Sequence, residues 1–361
     1  MNSREKIQTV LVGCGAISEL YYAPACKELE RQGLLQICAI VDPNRPRIAV
    51  LQTHFPQALA ADTLQEALKR KPALALVASP VAFHAEQSIA CSRAGLAVLC
   101  EKPMAADADQ AQAMIDAARA AERPLAVGLM RRFFPATQTI KGMISESTLG
   151  KVKSFCIAEG VNFNWPAQSA SFFKRATAGG GVLIDIGAHA LDLMLWWFGQ
   201  PTNVQYEDDA MGGLEANCRI SIQYSDFCGE VRLSRDWPLS NIYRIDFERG
   251  WVEWRVGESE HIQMGFHHGP KFIIKGTLYE IEKTGIGRRA SNTQRSFVAQ
   301  ILNVIAAMSD GDPLLASGES AKAGMVLIEN CYRTRSLMKM PWLSSAEFER
   351  AELLSSQLTK C

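Results

Sequence analysis

Three residues of the sequence have side chains that can exchange protons with a substrate oxygen: Lys102, Asp185 and His189. Asp185 and His189 are four residues apart in a segment of helical periodicity, so their side chains share one helix face. A carboxylate beside an imidazole helps to fix the orientation of the ring, and a nearby ammonium stabilises alkoxide character. The three side chains therefore suit the oxidation of a carbinol or the reduction of a carbonyl, in which a proton moves together with a hydride.

Each of these residues also has a simpler interpretation. A lysine in front of a proline, as Lys102 is, is most often a solvated surface group. A histidine on a helix that ends in Leu-Trp-Trp-Phe is more often a core residue satisfied by a hydrogen bond. Asp192, three residues after His189, is expected to be structural and to orient that ring. The case for chemistry therefore depends on the residues occurring together.

A glycine-rich segment near the N-terminus predicts a dinucleotide site. The stretch Gly13-Cys14-Gly15-Ala16-Ile17-Ser18 follows an apolar run and opens a helical segment, and it matches G-x-G-x-x-G except at Ser18. Gly13 permits a tight turn, Gly15 lets the backbone approach a pyrophosphate, and Ala16 and Ile17 begin the helix whose amides bind it. A serine is small enough for the close helix packing that the third glycine provides. The alternative is a plain strand-to-helix turn without a ligand.

The acid at the end of the next strand favours NAD over NADP. Asp42 follows the run Leu35–Val41, where a Rossmann domain places the carboxylate that binds the adenosine ribose. That carboxylate would repel a 2′-phosphate. Arg45 and Arg47 could offset the repulsion, but their expected role is that of solvated residues in the first turn of a helix.

The elements that must position these residues fall into two kinds. Up to residue 128, short apolar runs alternate with helical segments, which predicts βαβ units and a parallel sheet in an N-terminal α/β Rossmann domain, 1–128. These runs are Ile7–Val12, Leu35–Val41, Ala73–Ala78, Ala97–Cys100 and Leu125–Leu129.

Residues 129–361 predict an α+β C-terminal domain for substrate binding and oligomerisation, with a mostly antiparallel open sheet. The predicted strands are Val152–Glu159, Arg219–Tyr224, Glu230–Leu233, Tyr243–Phe247 and Trp251–Arg255. The predicted helices are Leu183–Phe198, Thr293–Ala307 and Glu319–Met338.

Two motifs identify a family. Leu99-Cys100-Glu101-Lys102-Pro103 ends a predicted strand, and residues 179–192 read G-G-G-V-L-I-D-I-G-A-H-A-L-D. With Gly13-x-Gly15 and Asp42, these motifs resemble the glucose-fructose oxidoreductase and inositol dehydrogenase (Gfo/Idh/MocA) family of NAD(P)-dependent oxidoreductases. The resemblance covers residues 7–200 and returns weakly at 317–333.

The resemblance implies that Lys102, Asp185 and His189 line the site beside the nicotinamide. It also implies contacts to the cofactor from Ser79, His84 and Glu101, and a cis bond before Pro103. The sequence departs from the family pattern at two places. Val81 replaces the asparagine of T-P-N-x-x-H, and Leu129-Met130 precede Arg131-Arg132 where relatives often have Tyr or Asn. The first change is expected to remove one polar contact near the cofactor, and the second to give a less polar pocket wall and hence an unusual substrate.

Residues for the substrate are less well defined. Arg131 or Arg132 can bind a carboxylate or phosphate, or either can be an ordinary surface arginine. The triple glycine 179–181 provides flexibility or lets a ligand approach the backbone closely. Trp165, with Phe163, Phe172 and Phe173, can lie under a sugar ring or pack the protein. The family implies a polyhydroxylated substrate: a sugar, a cyclitol or a nucleotide-sugar.

Composition excludes several other functions. Lys plus Arg and Asp plus Glu both number 38, so the formal net charge of zero favours neither nucleic acid nor an anionic membrane. The start of the chain lacks the pattern of a signal peptide. Ten cysteines are scattered singly, and Cys14, Cys38, Cys100 and Cys156 lie in apolar runs, which predicts reduced core thiols, a cytoplasmic location and no metal site. An uncovered sheet face, and the family, predict a homodimer or homotetramer.

Two other classes of function remain open from the sequence. One is a transient-redox lyase or glycosidase that uses bound NAD without net redox change. The other is a non-catalytic regulator that binds dinucleotide, which would be expected to lose the lysine or histidine that this chain retains.

Overall fold

The computed structural model describes residues 5–167, 170–276, 292–339 and 343–358. The chain forms two compact units, and both are assembled from separated stretches of sequence. The first takes its described residues from Met1–Phe133, Pro166–Phe172 and Leu278–Lys322, and the second from Phe134–Trp165, Phe173–Thr277 and Ala323–Cys361.

The first unit is built on a six-stranded sheet. Its strands are β1 (Ile7–Val12), β2 (Leu35–Val41), β3 (Leu59–Ala61), β4 (Leu74–Val77), β5 (Ala97–Cys100) and β6 (Leu125–Val127). Their order is β3-β2-β1-β4-β5-β6, and every neighbouring pair is parallel. The reversal of strand order beside β1 is the point at which such sheets bind dinucleotides. The predicted Rossmann architecture is confirmed.

Helices connect these strands. They are α1 (Ala23–Arg31), α2 (Arg45–Gln52), α3 (Leu64–Leu68), α4 (His84–Arg93) and α5 (Ala108–Ala120). Asn44, Thr63 and Asp107 cap the N-termini of α2, α3 and α5 through side-chain oxygens that accept backbone N–H groups. All residues of β4 and β5 are buried, as expected for parallel strands with helices on both faces.

The second unit is built on a nine-stranded sheet. Its strands are β7 (Val152–Gly160), β8 (Asn203–Asp208), β9 (Asn217–Gln223), β10 (Cys228–Ser234), β11 (Ile242–Phe247), β12 (Gly250–Arg255), β13 (His261–Phe266), β14 (Lys271–Lys275) and β15 (Ser336–Leu337). Their order is β14-β13-β12-β11-β7-β10-β9-β8-β15. The pairs β7–β10 and β8–β15 are parallel and the other pairs are antiparallel, which confirms the predicted mostly antiparallel sheet.

Helices α6 (Pro135–Ser145), α7 (Arg175–Ala178) and α8 (Val182–Phe198) follow in chain order, and α8 packs on β9 and β10. Leu233 of β10 lies so close to Gly187 of α8 that a Cβ at Gly187 would be 3.0 Å from the leucine side chain. The C-terminal helices are α9 (Asn292–Ser309), α10 (Gly318–Arg333) and α11 (Ser345–Leu358).

Two predictions about elements and cysteines are wrong. The helix predicted over Glu319–Met338 ends at Arg333, because Ser336 and Leu337 leave it to form β15 beside β8. Cys156, predicted to be a core thiol, is exposed on β7, whereas Cys14 and Cys100 are buried.

No helix within the described ranges is long and apolar enough to cross a membrane.

Candidate active site

The glycine loop has room for a ligand where the motif requires it. Gly13 has a φ of +94°, and a Cβ there would be 2.5 Å from the Ser79 amide nitrogen, so this position requires glycine for packing. Around Gly15 a Cβ would meet nothing within 4 Å. Neither packing nor a positive φ requires glycine at this position, so the free space leaves room for a ligand to approach the backbone closely. Ala16 and Ile17 begin the helical segment directly after it.

Ser18 takes over the packing role of the third glycine. It is fully buried, and its hydroxyl donates a hydrogen bond of 2.6 Å to the carbonyl oxygen of Gly13. A π-helical turn over Ser18–Tyr22 leads from this residue into α1. The substitution therefore closes the loop with a hydrogen bond instead of disrupting it.

Asp42 lies at the carboxyl end of β2 and is tied to the glycine loop. Its two carboxylate oxygens accept N–H bonds of 2.8 Å from Cys14 and from Asn44. Each carboxylate oxygen has a further lone pair that can accept a ribose hydroxyl. The position and the remaining acceptor capacity of Asp42 fit the adenosine end of a dinucleotide.

Arg47 is not the solvated residue that the sequence predicts. Its Nε donates to the carbonyl oxygen of Cys14 at 2.8 Å, and its Nη2 lies 2.6 Å from the Glu19 carboxylate. The side chain is 17% exposed. Arg45 does lie at the surface, where it pairs with Asp62. Arg47 thus braces the glycine loop through Glu19 and Cys14.

His84 joins the loop after β4 to the turn after β5. Its two ring nitrogens lie 2.7 Å from the carbonyl oxygen of Ser79 and 2.8 Å from that of Pro103. The ring is 1% exposed, and burial lowers the pKa of His84 although the two carbonyl oxygens partly oppose that shift. The cis bond expected before Pro103 is confirmed. His84 is therefore placed to support the turn that carries Lys102.

Glu101 is held inside the protein by its neighbours. The Tyr22 hydroxyl donates to its carboxylate at 2.8 Å, and the Lys102 amide donates at 3.0 Å. Burial raises the pKa of Glu101. Lys102, half-buried, follows directly after β5, at the sheet edge where open α/β sheets bind ligands. The buried Glu101 carboxylate thus anchors the backbone of the lysine.

The two arginines after β6 have different environments. Arg132 is 3% exposed and donates to the carbonyl oxygen of Leu315 at 2.9 Å and to the Ser320 hydroxyl at 3.1 Å. Its burial rules out the ordinary surface arginine that the sequence offered as one alternative, and its bonds to Leu315 and Ser320 give it a structural role. Arg131 is half-buried. Of the two, Arg131 remains the candidate for a substrate anion.

In the second unit, α8 carries Asp185 and His189. Both side chains are half-buried, whereas Asp192 on the same helix is 4% exposed. The confirmed helix places Asp185 and His189 one turn apart on one face. An acid and a base at this spacing can act on one substrate oxygen or on each other.

Close packing accounts for the glycines in front of α8. The buried Glu215 carboxylate accepts N–H bonds of 2.9 Å from Gly181 and 3.0 Å from Leu183, and a hydroxyl bond of 2.7 Å from Tyr332. A Cβ at Gly180 would be 2.0 Å from the Tyr332 hydroxyl, and one at Gly181 would be 2.0 Å from the Glu215 carbonyl oxygen. The sequence suggested flexibility or close approach of a ligand, but tight contact with Glu215 and Tyr332 explains these glycines.

Burial raises the pKa of Glu215, which its hydrogen bonds to Tyr332 and Leu183 oppose. A carboxylate at a helix N-terminus also interacts favourably with the helix dipole. Sequence reasoning missed this residue, because Glu215 lies in the loop between β8 and β9, more than thirty positions from the amides that it binds.

Sequence reasoning also missed an arginine beside Asp185. Arg235 Nη2 lies 3.4 Å from the Asp185 carboxylate, and its guanidinium lies 5.8 Å from the centre of the Phe163 ring. Phe173 stands edge-on to Phe163 at 5.3 Å and is 55% exposed. Trp165 is half-buried in the loop after β7, and the side chain of Phe172 lies outside the described part of the structure.

The site residues therefore form two groups, one in each unit. Gly13, Gly15, Asp42, Ser79 and Lys102, with the residues around them, gather at the carboxyl ends of β1, β2, β4 and β5. Trp165, Asp185 and His189 belong to the second unit, on α8 and the loop after β7. Each group belongs to one unit.

Comparison with known proteins gives two family matches. Residues 7–129 match an oxidoreductase family with an NAD-binding Rossmann fold, GFO_IDH_MocA. Residues 137–253 match the GFO/IDH/MocA C-terminal domain.

Similar proteins include two dehydrogenases. The chain is 29% identical to D-glucoside 3-dehydrogenase of Escherichia coli (strain K12), over 70% of this chain and 68% of the relative. It is also 29% identical to scyllo-inositol 2-dehydrogenase (NADP(+)) of Bacillus subtilis (strain 168), over 56% of either chain. This second match thus spans little more than half of the relative's length.

Among solved structures, the WlbA dehydrogenase of Bordetella pertussis in complex with NADH and UDP-GlcNAcA has a TM-score of 0.76. The two chains are 19% identical, and the match covers 91% of this chain and 95% of the other. This likeness shows that the fold is shared.

Proposed function

Because the chain belongs to the GFO/IDH/MocA family of oxidoreductases, we propose that it transfers a hydride between a nicotinamide cofactor and a secondary hydroxyl or ketone of a sugar, cyclitol or nucleotide-sugar. The N-terminal domain is an NAD-binding Rossmann domain. In this proposal residues 1–128 bind the dinucleotide and residues 129–361 bind substrate and mediate assembly.

The observation that carries the proposal is the fit of the glycine loop to a dinucleotide. Open space surrounds the Cβ position of Gly15, while the neighbouring Asp42 carboxylate is fixed by two amides. Gly13, Gly15, Ala16 and Ile17 would hold the pyrophosphate, and Asp42 the ribose. Ser79, His84 and Glu101 would support the nicotinamide end through the backbone of the loops that they brace.

The bound cofactor supplies the hydride acceptor or donor, and the side chains of the protein manage the proton. We assign proton transfer at the reacting oxygen to His189, with Asp185 holding the ring and Lys102 polarising the oxygen. The two half-buried positions on one face of α8 support this assignment. An exchange of roles between Lys102 and His189 is the alternative.

A polyhydroxylated substrate is supported by the relatives, whose names include a glucoside, an inositol and a UDP-linked sugar acid. Arg131 would bind an anionic group of the substrate, and Trp165 would lie against its ring. Net charge of zero supports a small-molecule partner over nucleic acid or a membrane. We infer a cytoplasmic homodimer or homotetramer.

The experiment compares Lys102→Ala and His189→Ala with the unaltered protein on a panel of polyols with NAD⁺. Each variant is expected to lose turnover on the order of a hundredfold or more, since acid–base help is removed, while the affinity for NADH changes little. Turnover is followed by NADH absorbance, and binding by nicotinamide fluorescence.

Two matched variants serve as controls. Lys153→Ala removes an exposed lysine that pairs with Glu248, and His261→Ala removes a partly exposed histidine beside Glu258. Both should keep normal turnover. Near-normal rates in both Lys102→Ala and His189→Ala would overturn the catalytic assignment. Product without accumulated NADH would identify the transient-redox class, and cofactor binding without turnover would identify a regulator.

A further inference from the structure

An arginine that the family motifs do not include lies against the first turn of α8. Arg235 is one residue beyond β10, and its Nη2 lies 3.4 Å from Asp185 Oδ2. Its side chain is 12% exposed, and that of Asp185 is 28% exposed. An ion pair that is this well shielded from water fixes the two side chains more firmly than a surface pair does.

The backbone of Arg235 is held on both sides. Its N–H donates to the carbonyl oxygen of Ala216 at 2.9 Å, and its carbonyl accepts the Phe163 N–H at 2.7 Å. These bonds continue the ladders that β10 makes with β9 and β7, in the middle of the sheet. The guanidinium also lies 5.8 Å from the centre of the Phe163 ring. The arginine is thus attached to a rigid element.

The partner of Arg235 is attached to another rigid element. Asp185 lies in the first turn of α8, where its N–H donates to the Gly181 carbonyl oxygen at 3.2 Å, and Glu215 binds the amides of Gly181 and Leu183. The ion pair therefore joins the central strands to the N-terminal turn of α8. Since Arg235 offers only donors, the carboxylate that faces it is restricted in orientation.

We propose that Arg235 is a positioning residue, which holds the Asp185 carboxylate in the orientation that the hydride-transfer site needs. The proposal rests on the proposed function, in which Asp185 supports His189. Arg235 acts through Asp185 and does not itself exchange a proton, because a guanidinium stays protonated in proteins. Its removal impairs the chemical step more than substrate binding.

The test is a double-mutant cycle of Arg235→Gln with Asp185→Asn, assayed with the most active polyol. Arg235→Gln is expected to lower kcat roughly tenfold to a hundredfold with a smaller change in KM, because a displaced carboxylate disturbs the reacting geometry. In the Asp185→Asn background, the same change should lower kcat by less than about twofold, since the partner through which it acts is altered.

Arg235→Lys tests the role without removing the positive charge. It should restore part of the lost kcat, because lysine can face one carboxylate oxygen but lacks the planar fork of arginine. Arg333→Gln is the control: Arg333 lies at the end of α10, donates to the Asn330 side chain at 2.8 Å and is exposed. Its kcat and KM should equal those of the unaltered protein.

Polyol binding is measured in every variant from the change in fluorescence of bound NADH, so variants without measurable turnover still contribute a dissociation constant. Unchanged kcat in Arg235→Gln, or an equal loss in the Asp185→Asn background, would overturn the positioning role. No turnover and no polyol binding by the unaltered protein would instead overturn the proposed function, and the inference with it. If Arg235→Gln does not fold, Arg235→Lys provides the test of the positioning role. Complete loss of kcat in a folded Arg235→Lys variant would contradict the proposal.

Discussion

At the scale of single residues, the hydrogen-bond and ion-pair partners of a side chain limit what that side chain can do. Glu101 belongs to the E-K-P motif, yet its carboxylate is buried and binds the Tyr22 hydroxyl and the Lys102 amide. Arg47 reads as a surface residue in the sequence, yet it is bound to Glu19 and the Cys14 carbonyl. Residue types and spacing predict candidates for chemistry, but they do not show which polar groups are already occupied.

The ion pair between Arg47 and Glu19 refines the prediction of cofactor preference. The protein should bind NADH more tightly than NADPH, because Asp42 would face the 2′-phosphate. Asp42→Ser should narrow the preference, on the order of tenfold for a change of about 1.4 kcal/mol. Since Glu19 holds Arg47, the double variant Asp42→Ser with Glu19→Gln should narrow it further by freeing the guanidinium.

Fluorescence titration of both reduced cofactors measures the preference. Glu19→Gln alone is the control, and it should leave the preference largely unchanged because Asp42 remains. Equal or tighter binding of NADPH by the unaltered protein would contradict the prediction. An Asp42→Ser variant that is insensitive to Glu19→Gln would show that Arg47 cannot reach the phosphate.

At the scale of elements, the sequence predicts those whose apolar pattern is strong. The runs of β1, β2 and β5 and the apolar helix α8 are found within a residue of their predicted bounds. Strand β3 has three residues, and β8 alternates polar and apolar residues too weakly to stand out. The helix predicted through Met338 stops early because long-range contacts compete: Leu337 pairs with Asp208, and Arg335 forms an ion pair with the same residue.

In the candidate site too, the sequence predicts residues that share a local pattern and misses those that come from distant positions. Asp185 and His189 could be predicted, because they share one helix and one periodicity. Arg235 and Glu215 could not, because they contact the start of α8 from positions 50 and 34 residues away, respectively, along the chain. Local patterns contain no information about such partners.

One element-scale prediction concerns the start of α8. Gly180→Ala should destabilise the protein by roughly 1–3 kcal/mol and lower kcat, because the new Cβ would be 2.0 Å from the Tyr332 hydroxyl and would displace the turn before Asp185. Tyr332→Phe should partly rescue Gly180→Ala, since it removes the closest atom. Thermal unfolding and kcat are measured together.

Gly213→Ala is the matched control, because a Cβ at Gly213 meets nothing within 4 Å. It should leave unfolding and turnover close to normal. If Gly180→Ala is as stable and active as Gly213→Ala, the contact with Tyr332 does not fix the helix start. If Tyr332→Phe gives no rescue, the hydroxyl is not the obstacle.

At the scale of the whole molecule, chain order and spatial order differ. The first unit is completed by α9, from late in the sequence: Phe297 stacks on Tyr21 at 5.0 Å and stands edge-on to Tyr22 at 5.1 Å. Gln300 of the same helix donates to the Tyr22 hydroxyl. A pattern read along the chain places such a helix in the C-terminal domain, together with its neighbours in the sequence. The division of function near residue 128 therefore stays a prediction.

The face of the nine-stranded sheet opposite α8 is a candidate surface for assembly. Leu233 faces α8, so its neighbour Arg232 points to the other side of the sheet, where it pairs with Glu230. Arg244 on β11 pairs with Asp246 and Glu253. These ion pairs make the central part of this face charged, whereas Ile273 of β14, which the strand register places on the same face, is 73% exposed. An antiparallel sheet can leave a charged face in water, so the central part of the face does not need an apolar partner.

The last prediction is that the protein assembles as a dimer or tetramer through this charged face. Pairs that are exposed in one chain can exchange partners across an interface, and such contacts weaken as salt screens them. Light scattering at micromolar concentration should therefore give a multiple of 39.7 kDa at low salt and a smaller mass at high salt. Arg232→Glu should shift the equilibrium toward monomer, because the new carboxylate would repel Glu230 of the same chain and the acidic side chains that Arg232 would pair with across the interface. Arg31→Glu, at an exposed ion pair on α1, is the control and should not change the mass. A mass of 39.7 kDa under all conditions would refute the assembly, whereas an oligomer that ignores both salt and Arg232→Glu would place its interface on another surface.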